Sequence, residues 1–198
     1  MSGTYQTSLL VANEVKQLYP AFDLDIIDSQ GGSLATGLVV LKAAQMAQAG
    51  KDKAEIAQFV KDQTAHMEHV FTVDNLDALY RGGRLSRTGR LVGNILNIKP
   101  VLHVENGRIA LLHLVRGKKR ALEKILAVME ERCAKVKSQI IGIAHACDLE
   151  VALQLKAMIE ERFGFDRFII DLISGVLGVH LGIGGVGVFF ATKTFGEA

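Results

Sequence analysis

The residues best placed to do chemistry lie near the end of the chain, where His180 precedes the glycine-dense run Gly182-Ile183-Gly184-Gly185-Val186-Gly187. An imidazole both donates and accepts hydrogen bonds near neutral pH, and glycines let a backbone turn sharply or approach a bound group closely. The pair reads as a ligand-facing turn whose ring meets an oxyanion; the same residues also fit a core histidine beside a buried turn. A second group, Arg81-Gly82-Gly83-Arg84-Leu85-Ser86-Arg87, sets three guanidinium forks around two glycines. Such forks grip carboxylate or phosphate bidentately, although a solvated loop or a basic helix end would look alike.

Two further segments carry polar groups at telling places. Arg116-Gly117-Lys118-Lys119-Arg120 precedes a helical stretch whose first turn would ordinarily favour acidic side chains, so it invites an acidic partner or serves plain solubility. Asp28-Ser29-Gln30-Gly31-Gly32-Ser33 follows an apolar alternation, at the end of a strand where ligands collect in open α/β sheets. Its glycines lack the spacing of a phosphate loop or a dinucleotide fingerprint, which leaves a capped turn as the other reading. His145 follows another apolar run, but two histidines without acidic companions at ligand spacing do not predict a metal. Neither Ser33 nor Ser174 sits in a nucleophile elbow. No catalytic machinery is predicted.

Composition narrows the classes. The chain has 198 residues, 49% apolar and 22% charged, enough for one substantial core or two small ones. A net charge of +2, no Trp and 6% aromatic residues argue against a nucleic-acid partner. The apolar stretch from Leu172 to Phe190 is broken by Ser174, His180 and glycines, so no membrane span is predicted. Cys133 and Cys147 form neither a metal pattern nor a disulfide framework, and the start lacks a signal peptide; a soluble protein of the reducing cytoplasm is expected.

These groups need a scaffold, and the apolar pattern predicts an α/β one. Helical spacing runs from Thr4 to Leu18, ended by Pro20; Phe22 to Ile27 alternates as a strand; Ser33 is placed to cap a nearly all-apolar helix over 34–49, stopped by Gly50; a helix follows over 53–67. Val70 to Val73 reads as a strand and 91–98 as a short helix. Asn106-Gly107 between two apolar runs predicts a hairpin. Helix 118–135, strand 139–144, helix 150–163, strand 168–173 and a closing strand 186–192 complete the reading. A boundary near residue 73 divides an N-terminal α/β unit, 1–73, from a C-terminal one, 74–198.

In this order, Ser2-Gly3-Thr4-Tyr5-Gln6, Asp28-Ser29 with Ser33, Gly82-Gly83-Arg84-Leu85-Ser86, Lys99-Pro100-Val101-Leu102 with Asn106-Gly107, Val115-Arg116-Gly117-Lys118-Lys119 and His180-x-Gly182-x-Gly184 resemble the DegV family of bacterial lipid-binding proteins. The resemblance spans nearly the whole chain. It implies a two-domain α/β fold that buries one long-chain fatty acid, without a cofactor or metal. It also implies, in some members, a kinase subunit that phosphorylates the presented carboxyl group to an acyl-phosphate for phospholipid synthesis, the carrier itself doing no bond chemistry. Carried over, Arg84 and His180 meet the carboxylate; Gly3, Thr4, Ser29, Ser33, Gly83, Gly182 and Gly184 line the pocket; Arg116, Lys118 and Lys119 dock the kinase subunit. Two departures stand out. The segment that precedes Ser-Gly-Thr-Tyr-Gln in the family, with its Ser-Ser pair and Thr-Ser-Gln-Pro loop, is absent, so the first part of the N-terminal domain is expected to be missing, lipid binding impaired, and an exposed apolar face left free to dimerise. The usual Gly-Pro-Gly after the histidine is Gly182-Ile183-Gly184. The competing readings are an anion-binding or nucleotide-dependent enzyme built on Arg84, and a structural fragment that only meets a partner.

Overall fold

The computed structural model describes residues 2–85 and 97–193, so the expected helix at 91–98 and the Ser86–Arg87 end of the arginine motif fall largely outside the described residues. Six strands form one mixed sheet: β1 (Met67–Thr72), β2 (Ile98–Glu105), β3 (Arg108–Arg116), β4 (Ile141–His145), β5 (Phe168–Leu172) and β6 (Val186–Ala191), in the order β3-β2-β1-β6-β4-β5. Only β4 and β5 are parallel. A parallel pair needs a long crossover, supplied by α6 (Leu149–Phe163), whose ends are written in sequence: Asp148 accepts from the Val151 N–H, and Gly164 closes the helix at φ 69°. The β2–β3 turn has Asn106 at φ 49° and Gly107 at φ 70°, the paired left-handed geometry expected of Asn-Gly.

Alternation along the strands separates two faces. One carries Val70, Ile143, Val188 and Phe190 against α5 (Lys118–Arg132) and α6, where Leu122, Ile125, Leu155 and Ile159 are completely buried. This is the principal core. The other face shows His69, Phe71, Gly187 and Phe189, and is covered by α2 (Leu34–Gln48) and α7 (Gly175–Leu181). Gly142 in β4 lets α2 sit close, since a Cβ there would lie 3.0 Å from Leu34 Cβ and 3.3 Å from Phe189 Cβ. α3 (Lys53–Thr64), capped by Asp52, packs on α2.

The differences from the sequence reading have local causes. Phe22–Ile27 is not a strand: no neighbouring backbone pairs with it among the described residues, and alternation without a partner does not make a ladder. Ser33 precedes α2 as expected, but at φ 56° its hydroxyl makes no capping bond. Two short helices were not expected, α4 (Asp77–Arg81) and α7. α7 places His180 within a helix rather than in a turn, with the glycine run following it. β1 lies before residue 73 yet pairs with β2 and β6, so the sheet draws strands from both sides of that position. α1 (Thr4–Leu18) buries only Ala12 and leaves Leu10 and Leu18 about 70% exposed, at 67% and 73%. Among the described residues no helix is long and apolar enough to cross a membrane.

Candidate functional site

Between the α2–α7 face of the sheet and α7 lies a cavity of about 170 Å³. Its walls are Phe71, Ile109, Ile173, Leu177, Val186 and Phe189, and its polar contributions come from Ser2, Ser33, His69, Thr72, Arg84 and His180. Three segments singled out by their residue types therefore converge on one space: the loop before α2, the Gly-Gly-Arg turn after α4, and α7.

The convergence depends on missing side chains. His180 lies over the Gly82 backbone, where a Cβ would collide with its Nδ1 and come within 3.1 Å of the Ala78 carbonyl oxygen. Gly82 is thus part of the histidine's seat. Arg84 turns back over the same residue, its Nη1 donating to the Gly82 carbonyl at 2.6 Å, which leaves further N–H groups of the fork for a ligand. Replacing Gly82 with Ala is expected to expel the His180 ring and weaken binding of an anionic ligand about tenfold, as for the loss of one hydrogen bond to a charge; a titration with the seat filled but affinity unchanged would refute this role.

His69 was not singled out by sequence, yet it lines the cavity and is only 5% exposed. Its Nδ1 bonds the Met67 carbonyl at 3.2 Å, and its ring meets Phe189 edge-on at 5.6 Å. Burial pushes its pKa down to about 4, so the ring is neutral at physiological pH. No motif would have revealed it: it is one histidine in a strand, and its partners Gly31 and Gly32 are distant in sequence.

The other expected site residues lie elsewhere. Gly3, Thr4, Ser29, Gly83, Gly182 and Gly184 do not line this cavity. Ser29 shapes the loop, its hydroxyl donating to the Gly31 carbonyl at 3.3 Å. Thr4 borders a separate surface hollow between α1 and Leu24. Gly182 and Gly184 adopt φ of 75° and 84°, and a Cβ on Gly184 would collide with the Asp74 carboxylate. That carboxylate anchors a charged cluster: Lys99 lies at 2.8 Å and Lys118 at 3.4 Å from Asp74, while Lys118 also reaches Asp148 at 3.1 Å and donates to the Gly184 carbonyl. Burial works to raise the Asp74 pKa, but Lys99 and Lys118 hold it below the ordinary carboxylate range. The acidic partner expected for Lys118 is therefore within the chain, which removes that residue from a free docking surface. Arg116 and Lys119 remain exposed.

No group of three metal-ligating side chains occurs among the described residues. Burial pushes the Cys133 thiol up to about 11, far from a nucleophilic thiolate.

The fold and the cavity define a class, a mixed α/β protein with a mainly apolar cavity beside an arginine and a histidine. The chain belongs to the DegV family: residues 1–193 match the family described as "Uncharacterised protein, DegV family". A DegV domain-containing protein of Clostridium perfringens is 39% identical over 195 residues, covering 98% of this chain and 67% of its own length. The crystal structure of a fatty acid binding DegV family protein from Streptococcus agalactiae superposes with a TM-score of 0.82 at 28% identity, covering 98% of this chain and 67% of that one. The Streptococcus pneumoniae Fatty Acid Kinase (Fak) B3 protein, loaded with linoleic acid, shares the fold with a TM-score of 0.88 at 23% identity, covering 97% of this chain and 68% of that one. The chain thus spans about two thirds of the length of these relatives.

Proposed function

We propose that this chain is a cytoplasmic fatty-acid carrier rather than an enzyme: it holds one long-chain fatty acid in the cavity beneath α7, with the carboxylate at Arg84 and His180, and presents that group to a kinase subunit that forms the acyl-phosphate used in phospholipid synthesis. The observation that carries the reading is the meeting of Arg84 and His180 at a cavity whose other walls are mainly apolar. Each methylene removed from water contributes about 0.8 kcal/mol, so the alkyl chain supplies affinity. The carboxylate must be met by donors when it leaves water, and the arginine fork does that. A similar structure supports the same chemistry: a Ruminococcus gnavus DegV family protein, 27% identical to this chain, was refined with vaccenic acid.

The N-terminal unit contributes Ser2 and the loop ending in Ser33, and the sheet contributes the opposite wall. The apolar residues exposed on α1 support self-association through that face. For the kinase partner, Arg116 and Lys119 are the exposed cations proposed to dock it. Reversing both to Glu is expected to weaken association with a fatty-acid kinase subunit about tenfold or more without changing lipid occupancy. Loss of both properties together would contradict this division of labour.

The carrier reading is tested by displacing a fluorescent fatty acid, cis-parinaric acid, from the purified chain. Saturable one-to-one displacement is expected, with palmitic acid stronger than its methyl ester because the ester offers no negative charge to Arg84. Equal displacement by acid and ester would refute the carboxylate assignment, and no displacement would refute the carrier.

A further inference from the structure

The loop Asp28–Ser33 carries more strain than a surface connection needs. Gln30 and Ser33 both sit in the left-handed region, at φ 50° and 56°, where side chains are disfavoured. Local bonds fix its first half: Asp28 Oδ1 accepts from the Gln30 N–H at 2.9 Å, and Ser29 donates to the Gly31 carbonyl. Neither reaches Gly32 or Ser33. The second half is tied to the sheet instead, because the Gly32 N–H donates to His69 Nε2 at 3.4 Å. Gly31 lies so close over the same ring atom that a Cβ would collide with it. All four residues, Gly31, Gly32, Ser33 and His69, face the cavity.

The ring is itself clamped. Nδ1 is held on the Met67 carbonyl and the edge is set against Phe189, so Nε2 is left as an acceptor aimed at the loop. Burial keeps the ring neutral, which preserves that acceptor.

We infer that His69 is a positioning residue: its Nε2 latches the Gly31–Ser33 loop against the sheet and so fixes the wall of the acyl cavity from which Ser33 faces the ligand. The effect on ligand affinity rests on the carrier reading; the latch itself does not. A latch of this kind explains why the Ser33 hydroxyl does not cap α2, since the loop is held at an angle that turns the residue away from the helix end.

Two variants separate the latch from mere space-filling. His69→Gln places an amide oxygen near the position of Nε2 and keeps an acceptor for the loop, whereas His69→Asn reaches Met67 but not Gly32. Hydrogen exchange of the amides of residues 30–36 in the ligand-free protein is the primary readout. Exchange is expected to rise on the order of tenfold in His69→Asn, corresponding to one lost hydrogen bond, and to stay near the native rate in His69→Gln. Affinity for cis-parinaric acid should follow the same order, and adding Ser33→Ala should weaken binding by the native and Gln proteins but add nothing to the Asn variant. Equal exchange in the two variants would overturn the latch. A native chain that binds no fatty acid would overturn the carrier reading while the exchange comparison still decides the latch.

Discussion

Replacing Arg84 with Met lowers affinity for a long-chain fatty acid by about 10- to 100-fold, because a hydrogen bond to a charged group is worth roughly 1.5–3 kcal/mol. The change should fall on binding alone. Arg84 is exposed, and its intramolecular bond goes to the Gly82 carbonyl, which water can satisfy once the guanidinium is gone. Met preserves the length of the stem, so apolar packing along the cavity edge is retained. Paired titrations and thermal melts check this. The expected result is a large loss of affinity for palmitic acid, little loss for its methyl ester, and an unchanged melting temperature. A fall for acid and ester alike would move Arg84 from head-group recognition to shaping the cavity.

Stability should depend on pH through His69 to a degree unusual for one residue. The folded pKa is about 4, against 6.5 for the ordinary imidazole. Between these values the unfolded chain binds a proton that the folded chain refuses, so stability rises with pH across the window. It is fully present above pH 6.5 and is lost as the pH falls toward 4. Between pH 7.5 and 5 the His69 contribution amounts to about 2 kcal/mol, from 1.36 kcal/mol per pKa unit. Denaturant unfolding at the two pH values measures it, with His69→Gln as the reference that cannot titrate. The native protein should lose about 2 kcal/mol more than the variant on acidification; equal losses would mean that the ring is accessible to protons in the folded state.

What the sequence disclosed follows from where its signals are local. The hairpin was legible because Asn106-Gly107 determines its own turn, and α6 because Asp148 and Gly164 mark its two ends. α7 was hidden: Gly175 and Gly178 weaken helical propensity, and with Val176, Leu177, Val179 and Leu181 the segment has no polar stripe to reveal a period. Phe22–Ile27 had the period of a strand without the partner that makes one. At the site, Arg84, His180 and Ser33 were visible through residue type and neighbouring glycines. The roles of the glycines were not, because what each one makes room for is remote in sequence: Gly31 admits His69, Gly82 admits His180 and Gly184 admits Asp74. Gly182 and Gly184 drew attention as ligand contacts; in the fold they have left-handed backbone angles outside the cavity lining, and Gly184 adjoins a partly exposed charge cluster. Lys118 illustrates the same limit, since its acidic partners Asp74 and Asp148 come together only in the fold.

Whether this chain holds a fatty acid is decided by native mass spectrometry of the purified protein. The expected spectrum shows a mass increment of one long-chain fatty acid, identified after denaturing extraction or acquired on incubation with palmitic acid, and diminished in the Arg84→Met protein. A folded chain that carries no lipid and acquires none on incubation would contradict the carrier reading.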